Sequence, residues 1–198
     1  MTSRYLSTDF LDVKFRKKYY TISMFSDPQK NIEQCGIQAG MEIADLGAGS
    51  GFYTLASAKA LISTGRVYAV DVQKDLLTKI KNTAVAQGLY NVEVIWGDIE
   101  KVGGTHLRDA SVDLALLSNI LFQLEDKIST VKEVKRILKP AGRVMVVDWA
   151  DSFGGIGPKP EMVVTKKVAT EMFEREGMHV DKDFNAGSHH YGIIMKKL

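Results

Sequence analysis

Residues 43–53 read Ile-Ala-Asp-Leu-Gly-Ala-Gly-Ser-Gly-Phe-Tyr, an apolar run that passes through three alternating glycines into a helical pattern. A strand that feeds a helix through so tight a turn confines the chain to α/β architectures. The pattern continues downstream. Strands are expected near 42–46, 66–71, 92–96, 112–118 and 143–149. Helices are expected over 52–62, 74–87 and 126–138, the second carried by Leu76, Leu77, Ile80, Ala84 and Val85 and stopped at Gly88. Lys139-Pro140-Ala141-Gly142 ends the third and turns the chain into the next strand. Such alternation specifies βαβ units and a mostly parallel, doubly wound sheet. Beyond Trp149 comes a loop with Gly154, Gly155, Gly157, Pro158 and Pro160, then a helix expected from about Glu161 to Glu176. Strands near 178–184 and 190–197, linked by Asn185-Ala186-Gly187-Ser188, form an antiparallel hairpin and bring the sheet to seven strands.

Length fits this reading, because 198 residues supply one α/β core. Residues 31–198 are assigned to it. Residues 1–30 hold Tyr5, Phe10, Phe15, Tyr19, Tyr20 and Phe25, six of 17 aromatics, and are expected to cover the sheet rather than trail as a disordered tail. Their basic cluster, Lys14, Arg16, Lys17 and Lys18, reads as a solvated helix face. With a net charge of +2 there is no strong nucleic-acid signal. No stretch approaches the ~18 apolar residues of a membrane span, nor does the start carry the ~7–15-residue apolar core of a secretory signal. Cys35 is the only cysteine, so neither a disulfide nor a Cys-x-x-Cys metal site can form within the chain. A cytoplasmic location follows as an expectation. Nothing in the sequence speaks to oligomeric state.

The glycine turn is the chief binding signal, since glycines let a ligand approach the backbone without a Cβ in the way. Its spacing is G-x-G-x-G, with Phe52 where a dinucleotide fingerprint has its third glycine, which counts against a pyrophosphate ligand. Asp71 ends the second strand 20 residues after Gly51, the interval at which an acidic residue accepts hydrogen bonds from ribose hydroxyls. Together they point to a nucleoside. Asp98, after the third strand, has two readings: acceptor for an exocyclic adenine amine, with Ile99 or Val72 packed on the ring, or cap of its own turn.

These segments resemble the motifs of class I S-adenosylmethionine-dependent methyltransferases from residue 28 to the end. VDLALLSNILFQLED at 112–126 is similar to the family's fourth-strand motif, and ILKPAGRVMVVDW at 137–149 to its fifth, as in quinone-biosynthesis and related small-molecule enzymes. The resemblance implies a Rossmann-like methyltransferase fold and S-adenosylmethionine as cofactor. It implies that Asp45, Gly47, Gly49 and Gly51 border the methionine part, Asp71 the ribose, and Asp98 with Ile99 the adenine. Ser118 and Asn119 would lie beside the sulfonium. The implied activity is methyl transfer to a small molecule. The alternatives are an RNA or protein acceptor, a non-catalytic binding subunit, or a nicotinamide-dependent reductase, for which no Tyr-x-x-x-Lys pair is evident.

In a parallel sheet ligands bind at the carboxyl ends of the strands, which places Asp148 and Trp149 at the catalytic face. The returning hairpin strand would begin there with His189, His190 and Tyr191, and either histidine could act as general base. His106, in a polar loop, is expected to face solvent. No metal is expected: Asp148 is followed by Trp149, so the magnesium site of catechol-type enzymes is not reproduced.

Overall fold

The computed structural model describes residues 26–62 and 64–198, so most of the N-terminal aromatic segment and its basic cluster lie outside the described residues. A short helix α1 (Pro28–Glu33) is capped by Asp27, whose carboxylate accepts from the amides of Gln29 and Lys30. Then follow β1 (Glu42–Leu46), α2 (Phe52–Ala60), β2 (Arg66–Asp71), α3 (Lys74–Ala86), β3 (Val92–Trp96) and β4 (Val112–Ser118). The chain continues through α4 (Lys127–Ile137), β5 (Leu138–Trp149), α5 (Lys166–Arg175), β6 (Met178–Gly187) and β7 (His190–Lys197).

The seven strands lie in the order β3-β2-β1-β4-β5-β7-β6, parallel except that β7 runs against both β5 and β6. This is the expected doubly wound sheet with its antiparallel hairpin. Side chains alternate across it with period two. Ala44, Leu46, Ala115, Leu117, Val144 and Val146 face one way, onto Val131, Val134 and Ile137 of α4 and Phe173 of α5. Ile43, Leu114, Leu116, Met145 and Val147 face the other, onto Ile32 of α1 and Tyr53 and Ala56 of α2. Covered on both faces, the central strands are nearly continuous apolar runs, which is why they were legible in the sequence.

Three boundaries differ from the sequence reading. The last helix starts at Lys166 rather than Glu161, because Thr165 is its N-cap and residues 160–162 make only a single 3-10 turn. The hairpin link is shorter than expected, since β6 runs on to Gly187 through irregular register at Val180–Lys182 and Asn185–Gly187. The expected stop at 139–142 lies instead inside β5, which starts at Leu138 rather than near 143: Leu138 pairs with Val112, and pairing resumes at Arg143 with Leu114 after a register shift. Among the described residues no helix is long and apolar enough to cross a membrane.

A buried ion pair ties the loop after β3 to α4. Glu133 is fully buried and accepts from the Gly103 amide at 2.6 Å, the Thr105 hydroxyl at 2.5 Å, and Nε and Nη2 of Arg136 at 2.8 and 2.7 Å. Burial works against its charge, but the guanidinium, the hydroxyl and the amides hold its carboxyl down at about 2.

Candidate functional site

Where β1 enters α2, the glycine turn is fastened to its neighbour β2. The amides of Gly47 and Ala48 both donate to the carbonyl of Val70, at 2.9 and 3.0 Å, and the Gly49 amide donates to Oδ2 of Asp71 at 2.8 Å. The other Asp71 oxygen accepts from the Gln73 amide at 2.8 Å. Each carboxylate oxygen has about two lone-pair directions, so Asp71 shapes the turn and can still accept two ligand hydroxyls. Gly49 has φ +53, and a Cβ there would meet nothing nearer than the Gly47 carbonyl at 3.9 Å. Gly51 differs, for at φ +78 its Cβ would lie 2.6 Å from Ile80. One glycine keeps the surface open to a ligand and the other lets α2 pack against α3.

Beneath the turn Asp45 is only 1% exposed. Oδ2 accepts from the Thr54 hydroxyl at 2.5 Å, while Oδ1 is buried without a hydrogen-bond partner among the described residues. Burial pushes this carboxyl up to about 6, with the charge of Asp71 adding to the rise and the Thr54 bonds opposing it. A buried oxygen of incipient negative charge beside an open glycine turn is complementary to a cation.

These elements enclose a cleft of about 270 Å³ at the carboxyl ends of β1, β2 and β4. Of the sequence-selected residues, Gly47, Gly49, Asp71, Ser118 and Asn119 line it. Asn119 adopts φ +54, and its amide donates to the Val147 carbonyl at 2.8 Å. The turn after it is held by Asp148, which accepts from the amides of Leu121 and Trp149, each at 2.8 Å. Complete burial raises the Asp148 carboxyl to about 6 against those bonds.

The residues selected for adenine are dispersed. Val72 is 57% exposed at the end of β2, whereas Ile99 is 6% exposed and packs in the core. Asp98 caps its own turn, accepting from the Glu100 amide at 3.0 Å and pairing with Lys101 at 3.0 Å, and that ammonium holds its carboxyl below the usual range. Neither His189 nor His190 lines the cleft. His190 is buried opposite Trp149, with ring centroids 4.3 Å apart. His189 places Nδ1 3.2 Å from Oδ2 of Asp151 and stacks on Phe153 at 3.7 Å. Tyr191 is buried and donates to the Val164 carbonyl at 3.0 Å. His106 is exposed.

Sequence reasoning passed over Ser26, Tyr53, Gln73, Ile120 and Gln123, all of which line the cleft. Position alone could have flagged Tyr53 and Gln73, each two residues beyond a selected one. Ser26 carries no local signal.

The cleft suits a nucleoside, since Asp71 offers paired acceptors and Gly49 leaves an approach no Cβ fills; Asp45 lies beneath the turn, outside the cleft lining, with a buried oxygen that has no hydrogen-bond partner among the described residues. The curated demethylmenaquinone methyltransferase of Staphylococcus aureus is 29% identical over 117 residues, 59% of this chain and 46% of that protein. The ubiquinone/menaquinone biosynthesis C-methyltransferase of Burkholderia cenocepacia is 28% identical over 119 residues, 60% of this chain and 47% of that one. The chain thus spans about half the length of the curated relatives it matches. A crystal structure of a SAM dependent methyltransferase from Aquifex aeolicus superposes with a TM-score of 0.79 at 28% identity, covering 88% of this chain and 92% of that one. The family described as a methyltransferase domain matches residues 37–186. On this match, and with the fold and glycine turn already described, the chain belongs to the methyltransferase-domain family, in keeping with the resemblance of its motifs to the class I, S-adenosylmethionine-dependent enzymes.

Proposed function

We propose that the protein transfers a methyl group from S-adenosylmethionine to a small-molecule acceptor. The observation that carries this reading is the Gly49–Asp71 hydrogen bond in the cleft lining, which joins an open glycine turn to a carboxylate that would accept from ribose hydroxyls. Asp71 would hold the ribose hydroxyls. The backbone of Gly47 and Gly49 would border the methionine part, with Asp45 beneath it as a buried countercharge. Ser118 and Asn119 would lie beside the reacting centre. At the adenine end, Val72 offers an exposed apolar surface, whereas Asp98 is engaged by its turn and Ile99 by the core.

When bound, the cofactor supplies a methyl group already activated on a sulfonium. The protein has then to position the acceptor and exclude water, which can contribute several kcal/mol. Phe52 and Ile120 supply apolar lining for this. For an acceptor that must lose a proton and extends beyond the cleft lining toward the start of β7, His189 is the base in this reading, because Asp151 at Nδ1 fixes its tautomer; His190 is packed on Trp149. A small-molecule acceptor is supported by the relatives named for quinone biosynthesis. The single buried cysteine favours a reducing compartment, the cytoplasm.

The test is titration calorimetry with S-adenosylmethionine, S-adenosylhomocysteine and NADH, followed by incubation of cell extract with methyl-labelled cofactor. Binding of the first two, together with label in a small-molecule fraction, is expected. A folded protein that binds neither, or that binds NADH instead, overturns the reading.

A further inference from the structure

Where α1, α2 and the end of β6 meet, three buried polar side chains form a closed group. Asn31 is 3% exposed, Tyr53 5% and Ser26 6%. Nδ2 of Asn31 lies 2.9 Å from Ser26 Oγ, 2.8 Å from Tyr53 Oη and 3.2 Å from the carbonyl oxygen of Ala186. The two hydroxyl oxygens are 3.1 Å apart.

A backbone carbonyl only accepts, so the amide must turn its NH2 toward Ala186; the flipped amide would oppose two acceptors. This orientation decides the proton count. The amide brings two protons, shared among Ala186 and the two hydroxyl oxygens. Each hydroxyl brings one. The Ser26–Tyr53 contact takes up one hydroxyl proton, and the other has no acceptor in the group, since an amide nitrogen has no lone pair to offer. Burial raises the Tyr53 phenol above its ordinary value, which keeps it a donor. Among the described residues that donor is unmatched, and burying an unmatched donor is costly, so a group like this is arranged for a partner.

Ser26 and Tyr53 both line the cleft. The strand order sets Asp71, on β2, to one side of β1, and β6 with Ala186 to the other. With the ribose at Asp71, the amino-acid end of the cofactor would extend past the glycine turn toward the hydroxyls. We propose that the Ser26–Tyr53 pair, oriented by Asn31, donates its uncommitted proton to the carboxylate of that amino-acid end. The proposal rests on the reading of the cleft as an S-adenosylmethionine site.

The pair is degenerate in a way that makes it testable. Removing one hydroxyl leaves the other with an uncommitted proton, whereas removing both leaves none. The probes are S-adenosylhomocysteine and its decarboxylated analogue, S-adenosyl-3-thiopropylamine, measured by titration calorimetry. The wild type should bind the carboxylate-bearing probe roughly 10-fold tighter or more, as befits a hydrogen bond to a charged group. Ser26→Ala and Tyr53→Phe should each keep most of that ratio, and the double variant should bring it near one. Asn31→Asp provides a second, nearly isosteric check, because an acceptor there takes up both hydroxyl protons and should also collapse the ratio. A wild type that does not distinguish the probes, or a ratio that survives in the double variant and in Asn31→Asp, overturns the proposal. Failure of the wild type to bind S-adenosylhomocysteine at all instead overturns the cofactor reading beneath it.

Discussion

The Gly49 amide donates to Oδ2 of Asp71 across 2.8 Å, so the carboxylate proposed to hold a ribose also fastens the glycine turn. Asp71→Ala should therefore act twice. It removes two acceptor sites for the ligand, weakening S-adenosylhomocysteine by about 1.5–3 kcal/mol. It also strips the amides of Gly49 and Gln73 of their acceptor and lowers the melting temperature of the free protein. Calorimetry and thermal melts check both; an unchanged dissociation constant would put the ribose elsewhere.

The glycines should separate by phenotype. Gly51→Ala drives a Cβ to 2.6 Å from Ile80 at a left-handed φ, and a loss of about 2–4 kcal/mol of stability is expected from strain plus overpacking. Gly49→Ala meets no such contact, so it should cost only about 1–2 kcal/mol of strain, with the greater effect on ligand affinity. Denaturant melts with and without S-adenosylhomocysteine measure the contrast. Equal stability losses would contradict it.

Acid dependence should run in two directions. Asp45 and Asp148 have folded pKa values raised to about 6, so the stability they confer is present below about pH 4 and is lost as pH rises through 6. Glu133 is held at about 2, so its contribution is present above about pH 4.5 and is lost as pH falls toward 2. The free protein should be most stable near pH 4–5. Asp45→Asn should flatten the neutral side of the profile, and the wild type should bind S-adenosylmethionine more tightly as pH rises through 6. Melting temperature and affinity between pH 3 and 8 test this; a melting profile in which wild type and Asp45→Asn run parallel would count against it.

Truncating Glu133→Ala should destabilise by about 3–5 kcal/mol, because it leaves the amides of Gly103 and Thr105 without their acceptor and the partly buried Arg136 with only the exposed Asp109 as partner. Substituting Arg136→Leu together with Glu133→Leu should recover part of the loss, since the pair then leaves no stranded charge. Urea unfolding of the single and double variants measures this. A double variant no more stable than Glu133→Ala would refute it.

His189→Ala should leave the affinity for S-adenosylhomocysteine within about twofold, since His189 does not line the cleft, and should lower label transfer by ~100-fold or more if the acceptor is protic. Asp151→Asn should lower it less. A His189→Ala protein with full transfer would remove the histidine from the mechanism.

The sequence determined what depends on neighbours along the chain. Apolar runs flanked by turns gave seven strands at nearly their observed places, and the G-x-G-x-G turn with Asp71 identified one end of the cleft, because strand, turn and acidic residue form one βαβ unit whose spacing is fixed by the length of a helix. The start of α5 is not legible locally, because Pro160 and Glu161 resemble a helix start while the capping hydroxyl of Thr165 sits five residues beyond Pro160. What only the tertiary structure decided are pairings between distant segments. Asn31 meets Ala186 across 155 residues, Glu133 meets Thr105 across 28, and the carboxylate of Asp148 finds the Leu121 amide across 27. None of these has a periodicity to betray it, for a buried polar group is satisfied by whichever donor or acceptor the packing of the sheet and its helices brings within 3 Å.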